Sequence, residues 1–503
     1  MRKIAIVLAA AVLLAAAWYL FSRASSPDIH EFANVSGPQE TSSLREPLAM
    51  RVYEYERGGP NRLAVLVTDP ESDWMGLVRG FRSHGIPATF TAQPERALRH
   101  QVIIAYPSIS GRLVPQEGIR ALADHVRQGG TLLTMDLAGG GLEELFGIER
   151  QLPSRVRTVV RWAGTGEQQD LLSPFSSDRA EVKIGSLAPV TTSAEVLARY
   201  DDGSPAAGCR RVGGRACILS VDLGSMAQRA MNGRSESYSP DFVNTSGPGL
   251  DVAFRWIRDL YVEGEDDPYL IGTAPAGRRG SLILTHDIDA TQSVANSEDY
   301  ARVIAKRGLS ATFFVQTKYV RDWNDDIFFN DASVPVLKRV ARQMELGSHT
   351  VAHSRAFKSF PLGTGAERYP AYRPFVESRT TATGGSVLGE LRVSKYLLEK
   401  VVGAEVRSFR PGHLSYPEKL PEALAATGYR YSSNLTANST QTHLPFQLSH
   451  GRSGRGLVEV WEFPVTIEDE KAPRLGDRLE AAVNVIEKIA AHGEWPCSSS
   501  TRT

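Results

Sequence analysis

The chain lacks net charge: 57 lysines and arginines balance 57 aspartates and glutamates over 503 residues. Without a basic excess there is no electrostatic footprint for a phosphate backbone, so nothing points to a nucleic-acid partner. Cysteine is scarce, with only Cys209, Cys217 and Cys497 present. Cys209 and Cys217 flank Gly213-Gly214, a hairpin-turn signal, and can close a disulfide across that hairpin in an oxidising compartment. Long apolar runs are missing too, save one. After Met1-Arg-Lys, an unbroken apolar stretch runs from Ile4 to Phe21 and meets Ser22-Arg-Ala-Ser-Ser-Pro27. A run of about 18 residues sits between a signal-peptide core and a membrane-spanning helix. Cleavage after Ala24 suits the first, and Arg2 and Lys3 held inside suit an uncleaved anchor through residues 4–21. Either way the body is expected to be exported, periplasmic or extracellular, and to touch the membrane only if residues 1–27 stay attached.

Beyond the leader, about 480 residues are too many for one ordinary core and fit two domains. Residues 28–49 are polar and carry Ser and Pro, which reads as a linker. Alternation then begins. Leu63 to Thr68, Ala88 to Thr91, Gln101 to Tyr106 and Thr131 to Asp136 read as strands, while Trp74 to His84 and Gly118 to Arg127 read as helices stopped by glycines. Strand and helix in alternation imply a parallel sheet wrapped by helices, here over 50–265. Shorter strand-like pieces follow, among them Val196 to Tyr200 and Cys217 to Val221.

In the second half, Ser281-Leu-Ile-Leu-Thr-His-Asp-Ile-Asp289 reads as a buried parallel strand delivering acidic groups to a sheet edge. Residues two apart share a strand face, so Asp287 and Asp289 can enter one cavity. Two carboxylates that close resist ionising together unless a cation is near, which makes a metal the first hypothesis. Ser297 to Lys306 reads as a helix capped by Gly308, Ala311 to Val315 as a strand, and Val334 to Glu345 as a helix ending at Gly347. His349 and His353 follow, four apart, where one face of a helical turn would offer two imidazoles to one cation. Ser408-Phe-Arg-Pro-Gly412-His413 closes another short strand. Arg410 there can keep one carboxylate ionised, and Gly412 can let backbone N–H groups approach an oxyanion.

These three pieces, in this order over Ser281 to Ala491, resemble the polysaccharide deacetylases of the NodB homology type, carbohydrate esterase family 4. The resemblance implies a distorted (β/α) barrel over 275–493 and hydrolysis of N-acetyl or O-acetyl groups from a polysaccharide. It makes Asp289, His349 and His353 the ligands of a divalent metal, zinc by resemblance, although N/O ligation also accepts cobalt, nickel or iron. Asp287 becomes the general base toward water at the metal, and Arg410 its holder. Trp461, in Val458 to Pro464, becomes a wall of the acetyl pocket, with Gly412 and Tyr431 beside it. The family's aspartates are adjacent, whereas Ile288 separates Asp287 from Asp289 here, so the base and ligand roles can be exchanged. Tyr431-Ser-Ser-Asn434 stands where an aspartate often supports the arginine. An insertion carrying Phe357, Phe360, Tyr369, Tyr372 and Phe375 is expected to wall the sugar cleft with aromatic rings. A second reading of the chain is a catalytically silent polysaccharide-binding or assembly protein.

The region from Arg62 to Val262 resembles the class I glutamine-amidotransferase-like domains of flavodoxin-like architecture. Their nucleophilic cysteine would stand in the turn that here reads Pro107-Ser-Ile-Ser-Gly111, so a non-catalytic domain is expected. At the other end, the helix Leu479 to Ala490 should feed a last buried strand ending in a histidine, but Glu494 to Thr503 has no strand character. Regrouping the back-translated codons one base earlier yields a small residue, an apolar run and a position that admits His-Pro. The expectation is a frameshift near Gly493, a fold one strand short, and an aberrant tail over 494–503.

Overall fold

The structure is a computed structural model. It describes residues 28–45, 50–152, 160–162, 188–191, 194–232, 249–278, 280–451, 456–469 and 472–493. The apolar leader and the tail over 494–503 lie outside the described residues. Among the described residues no helix is long and apolar enough to cross a membrane. The chain divides into two compact units, one of Met1–Ser43 and Leu284–Pro417, the other of Leu44–Ile283 and Glu418–Thr503. These bounds cut across the span 275–493 expected as one domain.

In the second of these units, strands β1 (Leu63–Val67), β2 (Ala88–Thr91), β3 (Val102–Tyr106) and β4 (Thr131–Thr134) alternate with helices α1 (Trp74–Ser83) and α2 (Gln116–Arg127). Further on come β5 (Val160–Trp162), β6 (Glu195–Tyr200), β7 (Pro205–Val212), β8 (Gly214–Leu219) and α3 (Gly249–Gly264). The sheet order is β2-β1-β3-β4-β8-β7-β6-β5. Its first five strands are parallel, and β7, β6 and β5 extend it antiparallel, so the sheet is mixed rather than purely parallel. Continuous apolar runs such as Val102–Tyr106 mark strands covered on both faces, and all five of those residues are buried. On α2, Ile119, Leu122, Ala123 and Val126 recur at helical spacing and pack into the core against the sheet. Gly213 turns the β7–β8 hairpin at φ +80°, and Cys209 opposes Cys217 across it in a disulfide.

The segment from Glu418 joins this unit through buried polar anchors. Arg79 Nε donates to the Gln447 carbonyl at 2.9 Å, and Ser83 Oγ to that of Pro445 at 2.7 Å. Asp251 on α3 accepts the His443 N–H at 2.9 Å.

The other unit is a run of parallel strands taken in chain order: β9 (Thr285–Ile288), β10 (Thr312–Val315), β11 (Glu345–Ser348) and β12 (Ser408–Phe409). Helices α4 (Thr291–Ala305), α5 (Ser333–Ala341) and α6 (Val387–Leu397) connect them. Ile288 pairs with Val315, Val315 with Ser348, and Ser348 with Phe409. The next residue along three of these strands is Asp289, His349 or Arg410, so register alone brings them to one carboxyl edge, where α/β folds keep their sites.

Several local expectations change. Strand β9 begins at Thr285 rather than Ser281, because its partner β10 begins at Thr312; Leu282 and Ile283 are 61% and 52% exposed. Helix α4 starts at Thr291, earlier than Ser297: Ser293 Oγ accepts the N–H groups of Asp289 and Ala290 at 3.2 and 2.9 Å and fixes the turn. Helix α5 ends at Ala341, and Glu345 is a strand residue instead, its carboxylate taking the Thr312 hydroxyl at 2.5 Å and that of Ser408. The segment from Asp28 to Ser43 is no free tether. His30 N–H donates to the Tyr319 carbonyl at 2.9 Å, Ser42 N–H to that of Gly365 at 2.9 Å, and Phe32 is buried.

Candidate metal centre

Thr350 and His353 decide the local geometry. Their φ angles are +67° and +51°, so His349 to His353 is not the helical turn expected but a loop with two left-handed residues. The Thr350 hydroxyl accepts the His353 N–H at 3.1 Å, which folds the loop back so that both imidazoles share one cavity. Their ring centroids lie 4.8 Å apart. One donor atom each from Asp289, His349 and His353 falls within 4.8 Å of the others.

The polar contacts order these groups. His349 Nδ1 lies 2.9 Å from the Arg410 carbonyl, which only accepts, so that nitrogen carries the proton and Nε2 presents its lone pair. Nε2 is 3.8 Å from Asp287 Oδ2, and His353 Nε2 is 3.6 Å from Asp289 Oδ2. Arg410 Nη1 donates to Asp287 Oδ1 at 2.9 Å, and its guanidinium lies 4.5 Å from the centre of the Phe314 ring.

The two carboxylates are pushed apart in acidity. Burial would raise Asp287, but Arg410 and then His349 outweigh it and hold the carboxyl below its usual range. Burial raises Asp289, and the charge on Asp287 adds to the rise against the pull of His349. Burial, with His349 and His413 behind it, holds His353 far below the ordinary imidazole value, so it is neutral at neutral pH. One carboxylate is thus kept ionised by an arginine, while its neighbour carries a charge deficit that a cation would relieve.

Of the residues singled out in the sequence, Asp287, Asp289, His349, His353, Arg410 and Gly412 come together in this unit. Gly412 earns its place by close approach: a Cβ there would sit 2.5 Å from His353 Cδ2 and 2.9 Å from its Cα. Tyr431 and Trp461 belong to the other unit, where they are register partners on neighbouring strands. Of the aromatic insertion, Phe360 and Phe375 stay partly exposed, while the other three rings turn inward. Phe357, Tyr369 and Tyr372 are buried inside the unit, and the Tyr369 hydroxyl takes the Phe32 N–H at 2.6 Å. His413 is a site neighbour that the motif reading passed over. Its ring centroid is 4.5 Å from that of His353, and partial burial followed by Arg355 brings its pKa to about 4. The available signal was its place directly after Gly412.

Residues 275–432 match the sequence model of the polysaccharide deacetylase family. No curated protein matches the chain. Among solved structures, a family 4 carbohydrate esterase from Streptomyces lividans in complex with acetate aligns at 16% identity over 42% of this chain and 90% of its own, with a TM-score of 0.22. A CE4 esterase from Streptococcus mutans aligns at 18% identity over 41% and 79%, with a TM-score of 0.21. An exo-β-1,4-mannosidase from Opitutaceae bacterium strain TAV5 aligns at 17% identity over 33% of this chain with a TM-score of 0.25, and the chain spans 32% of that enzyme's length.

Proposed function

We propose that this protein is a metal-dependent hydrolase removing N-acetyl or O-acetyl groups from a cell-surface or extracellular polysaccharide. The observation that carries the reading is the Asp289, His349 and His353 cluster beside the Arg410-held Asp287, inside the span that matches the deacetylase family. The donor set fits a divalent cation, zinc by its two imidazoles and one carboxylate. His353 is neutral, His349 offers Nε2, and the raised carboxyl of Asp289 gains most from a positive neighbour. Bound there, the cation would acidify water and polarise the acetyl carbonyl.

The chain's own residues supply the proton path. Arg410 occupies Asp287 Oδ1, so Oδ2 is left to accept a proton from water as its oxygen attacks the acetyl carbon. The C–N or C–O bond then breaks, and the proton held at Oδ2 passes to the leaving nitrogen or oxygen, releasing acetate. Hydrogen bonding to one carboxylate oxygen thereby fixes which lone pair faces the substrate.

Around this site we infer a distorted barrel of the NodB type and, over 50–265, a flavodoxin-like domain that binds or positions something without catalysing. The strand order β2-β1-β3-β4-β8 supports the second reading, as does the cysteine-free turn at Pro107 to Gly111. The Cys209–Cys217 disulfide supports export to an oxidising compartment, in keeping with the apolar stretch from Ile4 to Phe21. The test is acetate release from an N-acetylglucosamine oligomer and from an O-acetylated glycan, before and after chelation and on adding back zinc or cobalt. Acetate release that metal restores supports the reading; none from protein holding one metal equivalent would sink it.

A further inference from the structure

Behind the loop that carries the histidines sits a carboxylate that no motif includes. Glu390, in the first turn of α6, is 1% exposed. Its Oε2 accepts the N–H groups of Val351 and Ala352 at 2.7 and 3.0 Å, the two residues between Thr350 and His353. Its Oε1 takes the hydroxyl of buried Tyr372 at 2.9 Å. The strand edge grips the same loop from another side. Gln316 Nε2 donates to the Val351 carbonyl at 3.0 Å, and the Thr317 N–H to that of Thr350 at 3.0 Å.

The loop needs holding. A β-branched residue at φ +67° and a histidine at φ +51° occupy a region that residues with a Cβ visit only when their surroundings over-determine it. Two buried N–H groups in that segment also require an acceptor, since water is excluded there. Glu390 meets both needs with one oxygen, and that oxygen fixes the direction in which the chain leaves Thr350 and arrives at His353.

We propose that Glu390 is a positioning residue for the metal centre: it holds the Val351-Ala352 backbone so that His349 and His353 point at one cation. This rests on the metal-centre reading. What the role requires is an acceptor oxygen at the Oε2 position rather than charge, because backbone amides are its donors. Glu390→Met, of similar volume, removes the acceptor, whereas Glu390→Gln keeps one.

The experiment is zinc affinity by competition with a chromophoric chelator, with the visible spectrum of the cobalt-loaded protein alongside. Wild-type protein binding one equivalent, E390M weakened about 10–100-fold with an altered cobalt spectrum, and E390Q close to wild type support the proposal. A purely structural role would lower thermal stability without separating E390Q from E390M in metal affinity, and that result overturns it. Wild-type affinity in folded E390M overturns it as well. Should E390M not fold, Glu390→Asp takes its place: shorter by one methylene, it cannot reach both N–H groups, so the same weakening supports the proposal and unchanged affinity overturns it. If the wild type itself takes up no metal, it is the metal-centre reading that fails, and the two failures are told apart.

Discussion

Arg410→Met separates two jobs that one residue performs. Its side chain donates to Asp287 Oδ1 at 2.9 Å, while its backbone carbonyl receives His349 Nδ1 at 2.9 Å. Methionine keeps the stem over the Phe314 ring and leaves the carbonyl where it is, so only the first job is lost. A hydrogen bond to a charged partner contributes about 1.5–3 kcal/mol. Asp287 is 33% exposed, so solvent replaces part of that interaction and the lower half of the range applies. The expected loss is about 10- to 40-fold in kcat/KM near neutral pH, at roughly 1.4 kcal/mol per decade.

The pH profile gives the sign. With Arg410 in place, Asp287 lies below the usual carboxylate range, so it is an ionised base above that value and is protonated only as pH falls through it. Without the guanidinium, burial is no longer outweighed, the carboxyl rises, and the acid limb of kcat/KM moves toward neutrality. The assay is acetate release against pH, with metal content measured on the same samples. A kcat/KM within two-fold of wild type and an unmoved acid limb would falsify the assignment of Asp287 as base. Loss of metal together with activity would show instead that the side chain supports the ligands.

Three other outcomes are expected. His349→Ala removes a proposed ligand whose tautomer the Arg410 carbonyl sets, so stoichiometric metal binding should disappear; a full equivalent retained on equilibrium dialysis would refute the ligand set. Gly412→Ala places a Cβ against the His353 ring and backbone and should weaken metal affinity and lower stability by about 1–3 kcal/mol through overpacking, checked by competition titration and thermal melting. Cys209→Ser with Cys217→Ser opens a loop of sequence separation 8, which the chain-entropy relation converts to about 2.5 kcal/mol of lost stability, read by denaturant unfolding under oxidising conditions. An unchanged midpoint there would mean that the β7–β8 pairing already persists in the unfolded chain.

Much of this molecule could be read directly from residue order. Apolar runs such as Leu63–Val67 and Val102–Tyr106 marked buried parallel strands, since a strand covered on both faces needs no polar alternation. Asp289, His349 and Arg410 were legible because each directly follows a strand, with Asp287 two residues before Asp289 on the same strand and His353 four after His349, and strand register carries such residues to a common edge. The flanking glycines and Cys209 and Cys217 announced their hairpin for the same local reason.

What depends on contacts distant in the chain was not legible. The His349–His353 spacing suits a helix as well as a loop, and the bonds to Glu390 and from Gln316 and Thr317, with the Thr350 hydroxyl on the His353 N–H, hold the loop with its left-handed Thr350. Which rings of the aromatic insertion turn inward, Phe357, Tyr369 and Tyr372 but not Phe360 or Phe375, was settled only by packing, and the polar segment after Asp28 looked like a tether until Phe32 found its pocket. Sequence determined which residues could do chemistry, because residue type and strand ends are local properties. Tertiary structure decided which of them share a cavity and in what protonation state, because burial, a neighbouring guanidinium and the orientation of a backbone carbonyl exist only once distant segments have packed.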